Sequence, residues 1–439
     1  MVRGIILITI DSLRADHLNV YGYKKRLVSP CIDSLAKDSL VFLDHISIAP
    51  YTSLSMYSLM TASYPIFKSL HNEPCPIPRD KITLAQALNK EGYITIAFQD
   101  SNPFLTRDYG YGKGFTIYVD YSDVRTEPSS KLIEKTIDKI IKNHRVGTFL
   151  KYYILGFSKP IKGVTGVIKD FMSIIKHLDD YDKKFFIWLH FMDVHGPHNG
   201  VNMPSKLNWS LKRSIYWKKG LCSCPRKIIE EFMSMYDEEI RIVDNSIGIL
   251  INQLKDLDLY NDVMIILTSD HGEEFCDHGG YGHTAKLYDE LIRVPLIIKL
   301  PKQTKVGVIR NHVTSHLNLM PTIMMLVNPQ HTAASQERNL LMNTLGHSVL
   351  KGAASLAYSK VYHIISYRTA QWKLICYFKS GSTFPYRSEL YNLADDQREQ
   401  HNVIDCVDQD TISILIKPIL LLRKTILLRE YVSTKLKRR

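Results

Sequence analysis

The sequence predicts an α/β protein: a large mixed, mostly parallel sheet between helices, with a small α+β subdomain towards the C-terminal end. Three observations carry this. Apolar runs of strand length recur at wide intervals, and runs without polar alternation mark strands buried on both faces. Helical patterns lie between them, as in strands joined by helical crossovers. After about Ala357 the pattern changes to short, closely spaced strand-like pieces, which suits an antiparallel sheet.

The predicted strands are residues 4–10, 93–98, 185–191, 263–268 and 294–300. Residues 229–257 form the clearest helix. Phe232, Met235, Tyr236, Ile240, Val243, Ile247, Leu250 and Leu254 are spaced to line one face, and acidic residues come early, where they suit a helix N-terminus. Residues 131–178 carry ten Lys or Arg against three acids and read as a basic helical insertion, a lid on the main body. Residues 360–367, 372–378 and 389–393 supply the antiparallel strands. The organisation expected is a catalytic-type domain over 1–357, a small subdomain over 358–416 and a basic amphipathic tail over 417–439.

With 45% hydrophobic and 23% charged residues, the 439-residue chain has the composition of a folded protein, which excludes wholesale disorder. Its formal charge of +12 favours anionic partners. The seven cysteines, at 31, 75, 222, 224, 276, 376 and 406, form no dense framework, so a reducing, cytoplasmic setting is expected. Cys222-Ser223-Cys224 lacks the second pair that a structural zinc site needs. Met1 to Ile10 is rejected as a signal peptide, because Asp11, Arg14 and Asp16 follow at once with no small-residue cleavage site. The tail, with eight basic residues against one acid, has the composition for peripheral membrane contact. No Gly-rich phosphate loop or basic-aromatic module is present, so no nucleic acid partner is expected. Oligomeric state is not legible.

The chemistry lies at strand ends, where ligands bind in open α/β sheets. The run 4–10 is followed by Asp11, 185–191 by Asp193 and His195, and 263–268 by Asp270-His271-Gly272-Glu273-Glu274. Asp11, Asp270 and His271 make a carboxylate and imidazole set suited to a divalent cation. Residues 49–61 are crowded with hydroxyls just before a helical pattern. A hydroxyl there gains a field favouring its anion, which makes Thr52 the candidate nucleophile. The competing reading is that Thr52 or Ser53 merely caps the helix.

Several segments together resemble the sulfatase family of the alkaline phosphatase superfamily. They are Ile10-Asp11-Ser12-Leu13-Arg14-Ala15-Asp16-His17, Ala49-Pro50-Tyr51-Thr52, Trp188-Leu189-His190-Phe191-Met192-Asp193-Val194-His195, Ser269-Asp270-His271-Gly272 and Asp277-His278-Gly279-Gly280-Tyr281-Gly282-His283, with Glu389-Leu390-Tyr391-Asn392-Leu393 near the end. The resemblance implies Asp11, Asp270, His271 and Thr52 as metal ligands and Thr52 as nucleophile. It implies His195 and His283 as groups that hold the anion's oxygens or protonate the leaving group. Arg14 and Asn72 match substrate-binding positions less closely, and His278 and Asp193 match supporting ones. One divalent ion is expected rather than two, with zinc, manganese, magnesium and calcium all open.

The departures shape the functional expectation. Relatives specialised for sulfate carry a Cys/Ser-x-Pro-x-Arg motif whose first residue is oxidised to formylglycine; here the run is Thr52-Ser53-Leu54-Ser55-Met56. A threonine cannot become that aldehyde, yet it can attack as an alkoxide. Met56 removes an anion clamp, and Arg14, Lys113 and Lys286 are the candidate replacements. The reading is a hydrolase of phosphate- or sulfate-type esters, leaning to phosphoesters and phosphonates. The alternatives are transfer of a phosphoryl-linked group to a lipid or glycan alcohol, and a non-catalytic anion-binding relative.

Overall fold

The computed structural model describes residues 2–65, 73–121, 156–158, 163–180, 182–196, 226–310, 312–330, 352–358 and 362–436. In chain order the strands of the main sheet are β1 (Gly4–Ile10), β2 (Leu40–Ile46), β3 (Ile94–Gln99), β4 (Ile117–Asp120), β5 (Gly156–Ser158), β6 (Phe185–Phe191) and β7 (Val263–Ser269). A short hairpin of β8 (Glu274–Phe275) and β9 (Tyr281–Gly282) follows, then β10 (Arg293–Lys299), β11 (Gly307–Ile309) and β12 (Thr314–Ser315). The ten-stranded sheet runs β11-β2-β10-β7-β1-β6-β3-β4-β5, with β12 beside β2. β1 is parallel to both β6 and β7, and only β10 among these strands is antiparallel to its neighbours.

Burial on both faces explains why the central strands read as unbroken apolar runs. In β1, Ile5 and Leu7 enter one core while Ile6, Ile8 and Ile10 enter the other, and β6 and β7 alternate in the same way. The Gly163–Asp180 and Arg226–Asp256 helices cover the second face. All eight apolar residues predicted to line the long helix are buried. Of the expected basic insertion, residues 131–155 lie outside the described residues. The part described from Gly163 onward is a core helix rather than a lid, its Val167, Phe171, Ile174 and Leu178 buried against the sheet.

The C-terminal sheet is β13 (Ala353–Tyr358), β14 (Tyr362–Arg368), β15 (Trp372–Lys379) and β16 (Arg387–Asn392), antiparallel throughout. The Gln409–Leu436 helix packs on it and runs straight across position 417, with Pro418 inside rather than at its start. The loss of one backbone donor at Pro418 is tolerated because Leu415, Ile419, Leu422 and Ile426 bury one face on this sheet.

The two sheets are joined through a buried ion network. Arg368 Nη2 lies 2.9 Å from Asp44 Oδ1 and Arg368 Nε 3.1 Å from Asp289 Oδ2. Lys373 Nζ, wholly buried, lies 2.7 Å from Asp289 Oδ1 and 2.8 Å from Glu399 Oε1. Burial opposes ionisation of Asp289, but Arg368 and Lys373 outweigh it and hold its carboxyl well below the usual range. Removing one partner of a buried pair strands the others without compensation. Lys373→Ala is expected to destabilise the protein by about 3–5 kcal/mol, measured as a shift of the denaturation midpoint.

Candidate metal centre

The site begins with register. Ile10 is level with Phe191 of β6 and Ser269 of β7, so the chain leaves all three strands at one height and Asp11 emerges beside Asp270. Asp11 N–H continues the ladder to Phe191 O at 2.9 Å. The next residue, Ser12, takes φ 60, a left-handed conformation that costs a non-glycine residue about 1–2 kcal/mol. The turn is held there by its contacts. Ser12 N–H donates to Asp270 Oδ1 at 3.1 Å, Leu13 N–H to Ser269 Oγ at 3.0 Å, and Tyr236 Oη to Ser12 O at 2.7 Å. Gly272 is required for another reason: a Cβ there would stand 2.0 Å from Glu290 O.

Asp11, Asp270 and His271 are wholly buried, and their ligand atoms lie within 4.8 Å of one another. Nδ1 of His271 is 2.8 Å from Gly272 O, which fixes the proton on Nδ1 and turns the Nε2 lone pair inward. That lone pair faces Asp270 Oδ2 at 3.4 Å and Asp11 Oδ1 at 3.7 Å, and Asp270 Oδ2 has no hydrogen-bond partner. Acceptors converge on one point, which fits a divalent cation. Protons answer the same demand when no cation does: burial opposes a charged His271, but Asp270 and Asp11 together raise its pKa above the ordinary value.

Thr52 joins this group from the opposite side. It opens the Thr52–Thr61 helix, every residue of which is buried, with Tyr51 at the N-cap and no side-chain cap. Its hydroxyl is therefore spent elsewhere: Oγ1 lies 3.2 Å from Asp11 Oδ2 and 3.2 Å from His271 Nε2. The imidazole of His283 sits 4.4 Å from that of His271, and His195 5.0 Å beyond His283, centroid to centroid. Burial and the nearby His271 push the His283 pKa below its ordinary value.

Other expected residues are engaged elsewhere. All five N–H groups of Arg14 are engaged, with Asp16, Asp277 and Glu273 O, so it has no donor left for substrate. Both ring nitrogens of His278 are taken, Nδ1 by Glu290 at 2.7 Å and Nε2 by Glu399 O at 3.0 Å, and its ring stacks on Tyr288. It belongs to the junction between the two sheets. Asp193 accepts from Val164 N–H at 2.8 Å, at the start of the Gly163–Asp180 helix, and burial together with Asp100 raises its pKa to about 6. Lys113 caps the carbonyls of Pro78, Arg79 and Lys81, and Lys286 binds Glu274 and His278 O. Neither replaces the missing clamp, and Met56 is buried in the apolar core. Asn72 lies outside the described residues. Cys276 is disulfide-bonded, whereas Cys31, Cys75, Cys376 and Cys406 are free.

Some residues escaped the sequence reading. Asn102 Nδ2 donates to Asp11 Oδ2 at 3.1 Å, from the segment that follows β3. His190 Nε2 is 3.6 Å from Asp11 Oδ2; a histidine inside an apolar run was its signal. Beneath the site, Ser55 Oγ donates to Asp270 O at 2.5 Å and lies 3.1 Å from His316 Nδ1, whose Nε2 is 3.0 Å from Ser269 O. This chain ties the Thr52 helix to the Asp270 turn.

The fold and the buried group define the class first: a helix-covered mixed sheet with a carboxylate and imidazole cluster at its strand ends that could hold a metal ion. The sulfatase family pattern matches residues 3–329, and the pattern for the C-terminal part of N-sulphoglucosamine sulphohydrolase matches residues 277–424. The chain belongs to the sulfatase family, whose members are ester hydrolases of the alkaline phosphatase superfamily. It is 23% identical to an ulvan-active sulfatase of Formosa agariphila over 74% of this chain and 61% of that protein. It is 22% identical to a multifunctional alkaline phosphatase superfamily protein of Trinickia caryophylli, over 77% and 76% respectively. The match thus spans about three fifths of the first relative's length. Among solved structures, the phosphonate monoester hydrolase of Agrobacterium radiobacter shares the fold with a TM-score of 0.67 at 19% identity, covering 97% of this chain and 96% of that one. A Bacteroides thetaiotaomicron protein of glycosaminoglycan metabolism does so with 0.71 at 18%, covering 99% of both.

Burial pushes the pKa of His316 down from 6.5 to about 4. Between those values the unfolded chain takes up a proton that the folded chain refuses. Stability is therefore lost as pH falls from about 6.5 to about 4, by up to about 3 kcal/mol. His316→Gln is expected to flatten that part of the stability-against-pH curve, read by urea denaturation at several pH values.

Proposed function

We propose that the protein is a metal-dependent hydrolase of phosphate- or sulfate-type esters, with Thr52 as nucleophile and phosphoesters or phosphonates as its preferred substrates. The observation that carries this is the Thr52 hydroxyl at 3.2 Å from a buried carboxylate and a buried imidazole of the same ligand group. A divalent cation held by Asp11, Asp270, His271 and Thr52 supplies charge neutralisation on the anionic ester and a lowered hydroxyl pKa.

The chain's own residues do the rest. Asp11 Oδ2 accepts the hydrogen bond from Thr52 Oγ1 in the resting site. On losing its proton Oγ1 attacks the phosphorus or sulfur in line, and the bond to the leaving oxygen breaks with its electron pair. The helix that begins at Thr52 directs its positive end at the incoming anion. His283, beside His271, and His195 next to it donate to the anion's oxygens or protonate the leaving group. Water then cleaves the threonine ester and restores the hydroxyl. The lean to phosphorus rests on the residue type, since threonine cannot supply the aldehyde hydrate of formylglycine enzymes.

Thr52→Ala is expected to lower kcat/KM on the best substrate by on the order of 10³-fold or more, with the melting temperature nearly unchanged. Chelation is expected to abolish activity and readdition of a divalent ion to restore it. Aryl sulfate, phosphate mono- and diesters and a phosphonate monoester, assayed side by side with several metals, give the substrate order. Full activity in Thr52→Ala, or in chelated protein, sinks the proposal.

A further inference from the structure

The Gln409–Leu436 helix has two apolar faces, and only one has a partner within the described chain. Leu415, Ile419, Leu422 and Ile426 are buried against the C-terminal sheet. Arg423, also buried, fastens the helix to that sheet through Lys379 O, Ser382 O and the His363 ring. On the other side Ile414, Leu421, Leu428 and Val432 are 64%, 69%, 66% and 53% exposed. Spacings of seven and four place these four on one stripe of an α-helix. Lys417, Lys424 and Arg429, all exposed, flank it. A folded monomer rarely leaves such a stripe open to water without a use for it.

Two occupants fit an open apolar stripe, and the flanking charges choose between them. In a coiled coil with a second copy, Ile414, Leu421 and Leu428 would take one seam position, and the complementary position three residues on would hold Lys417 and Lys424. Two lysines facing their own copies weaken such a seam. An anionic lipid surface accepts both features, the stripe among the acyl chains and the lysines at the headgroups. Residues 417–439 carry eight basic groups and one acid, Glu430. Glu430 Oε1 is 3.9 Å from the buried His363 ring, so it turns away from the stripe. The turn that Arg423 holds also presents Phe384, 73% exposed.

We propose that this outer helix face docks in the plane of an anionic lipid surface. Among the described residues no helix is long and apolar enough to cross a membrane, so the contact is peripheral. The inference is independent of the chemistry at Thr52.

The test is co-sedimentation of the full chain with phosphatidylcholine vesicles containing about a third phosphatidylserine, against phosphatidylcholine alone. Binding to the anionic vesicles is expected to exceed binding to neutral ones and to weaken with added salt. L421E/L428E is expected to lower partitioning about tenfold or more, and K417E/K424E on the order of thirtyfold or more. Because these side chains are exposed, the melting temperature of both variants should match the parent. No binding of the parent at low salt, or variants that bind equally well, overturns the proposal. So does a dimer in sedimentation velocity that L421E/L428E splits in the absence of lipid binding.

Discussion

Asp11 and Asp270 are buried side by side at the ends of adjacent parallel strands, and much of the molecule serves to hold them there. A buried, uncompensated carboxylate is costly, and two facing each other cost more. Burial tends to raise the Asp11 pKa, yet His195, His190 and His271 outweigh it and hold the carboxyl well below the usual range. The imidazoles of His190 and His271, the backbone donor of Ser12 and the amide of Asn102 all lie against these two carboxylates. With Asp270 Oδ2 lacking a hydrogen-bond partner, the group fits a divalent cation.

These contacts also account for strain and for distance in sequence. Ser12 is held in a left-handed conformation because its N–H must reach Asp270 while its carbonyl meets Tyr236 from the long helix. The Thr52 helix is buried on all sides, so no solvent-facing side sets its rotation. Ser55 fixes it, by bonding to the Asp270 carbonyl within reach of His316. The Thr52 hydroxyl is thus held against Asp11 and His271 through a second hydroxyl one turn later in the same helix.

The C-terminal subdomain contributes at one remove. Lys373, Arg368 and Glu399 grip Asp289 and Asp44, and His278 bridges Glu290 to Glu399 O. Glu290 supplies the carbonyl that forbids a side chain at Gly272. The Asp270-His271 turn is thus backed by a segment that the small sheet anchors. The two sheets share one rigid support, although the small one places none of its described side chains among the ligands.

Much of this was legible in the sequence, because burial on both faces writes itself as unbroken apolar runs. The five predicted strands, the long helix and the Asp11, Asp270, His271 set all follow from such runs and from what stands at their ends. The antiparallel setting of β10 was not legible, since an apolar run carries no direction. Neither was β2, whose Asp44-His45 interrupts its apolar pattern. Arg14, Lys113, Lys286 and His278 looked available for an anion because sequence shows charge but not the partners that consume it. Asn102 and His316 were missed because their roles exist only where distant segments meet. The sequence by itself determined which carboxylates, imidazole and hydroxyl stand at the strand and helix ends, through residue type at those positions. Only the tertiary structure decided which polar groups are still free to act, because hydrogen-bond saturation is a property of packing.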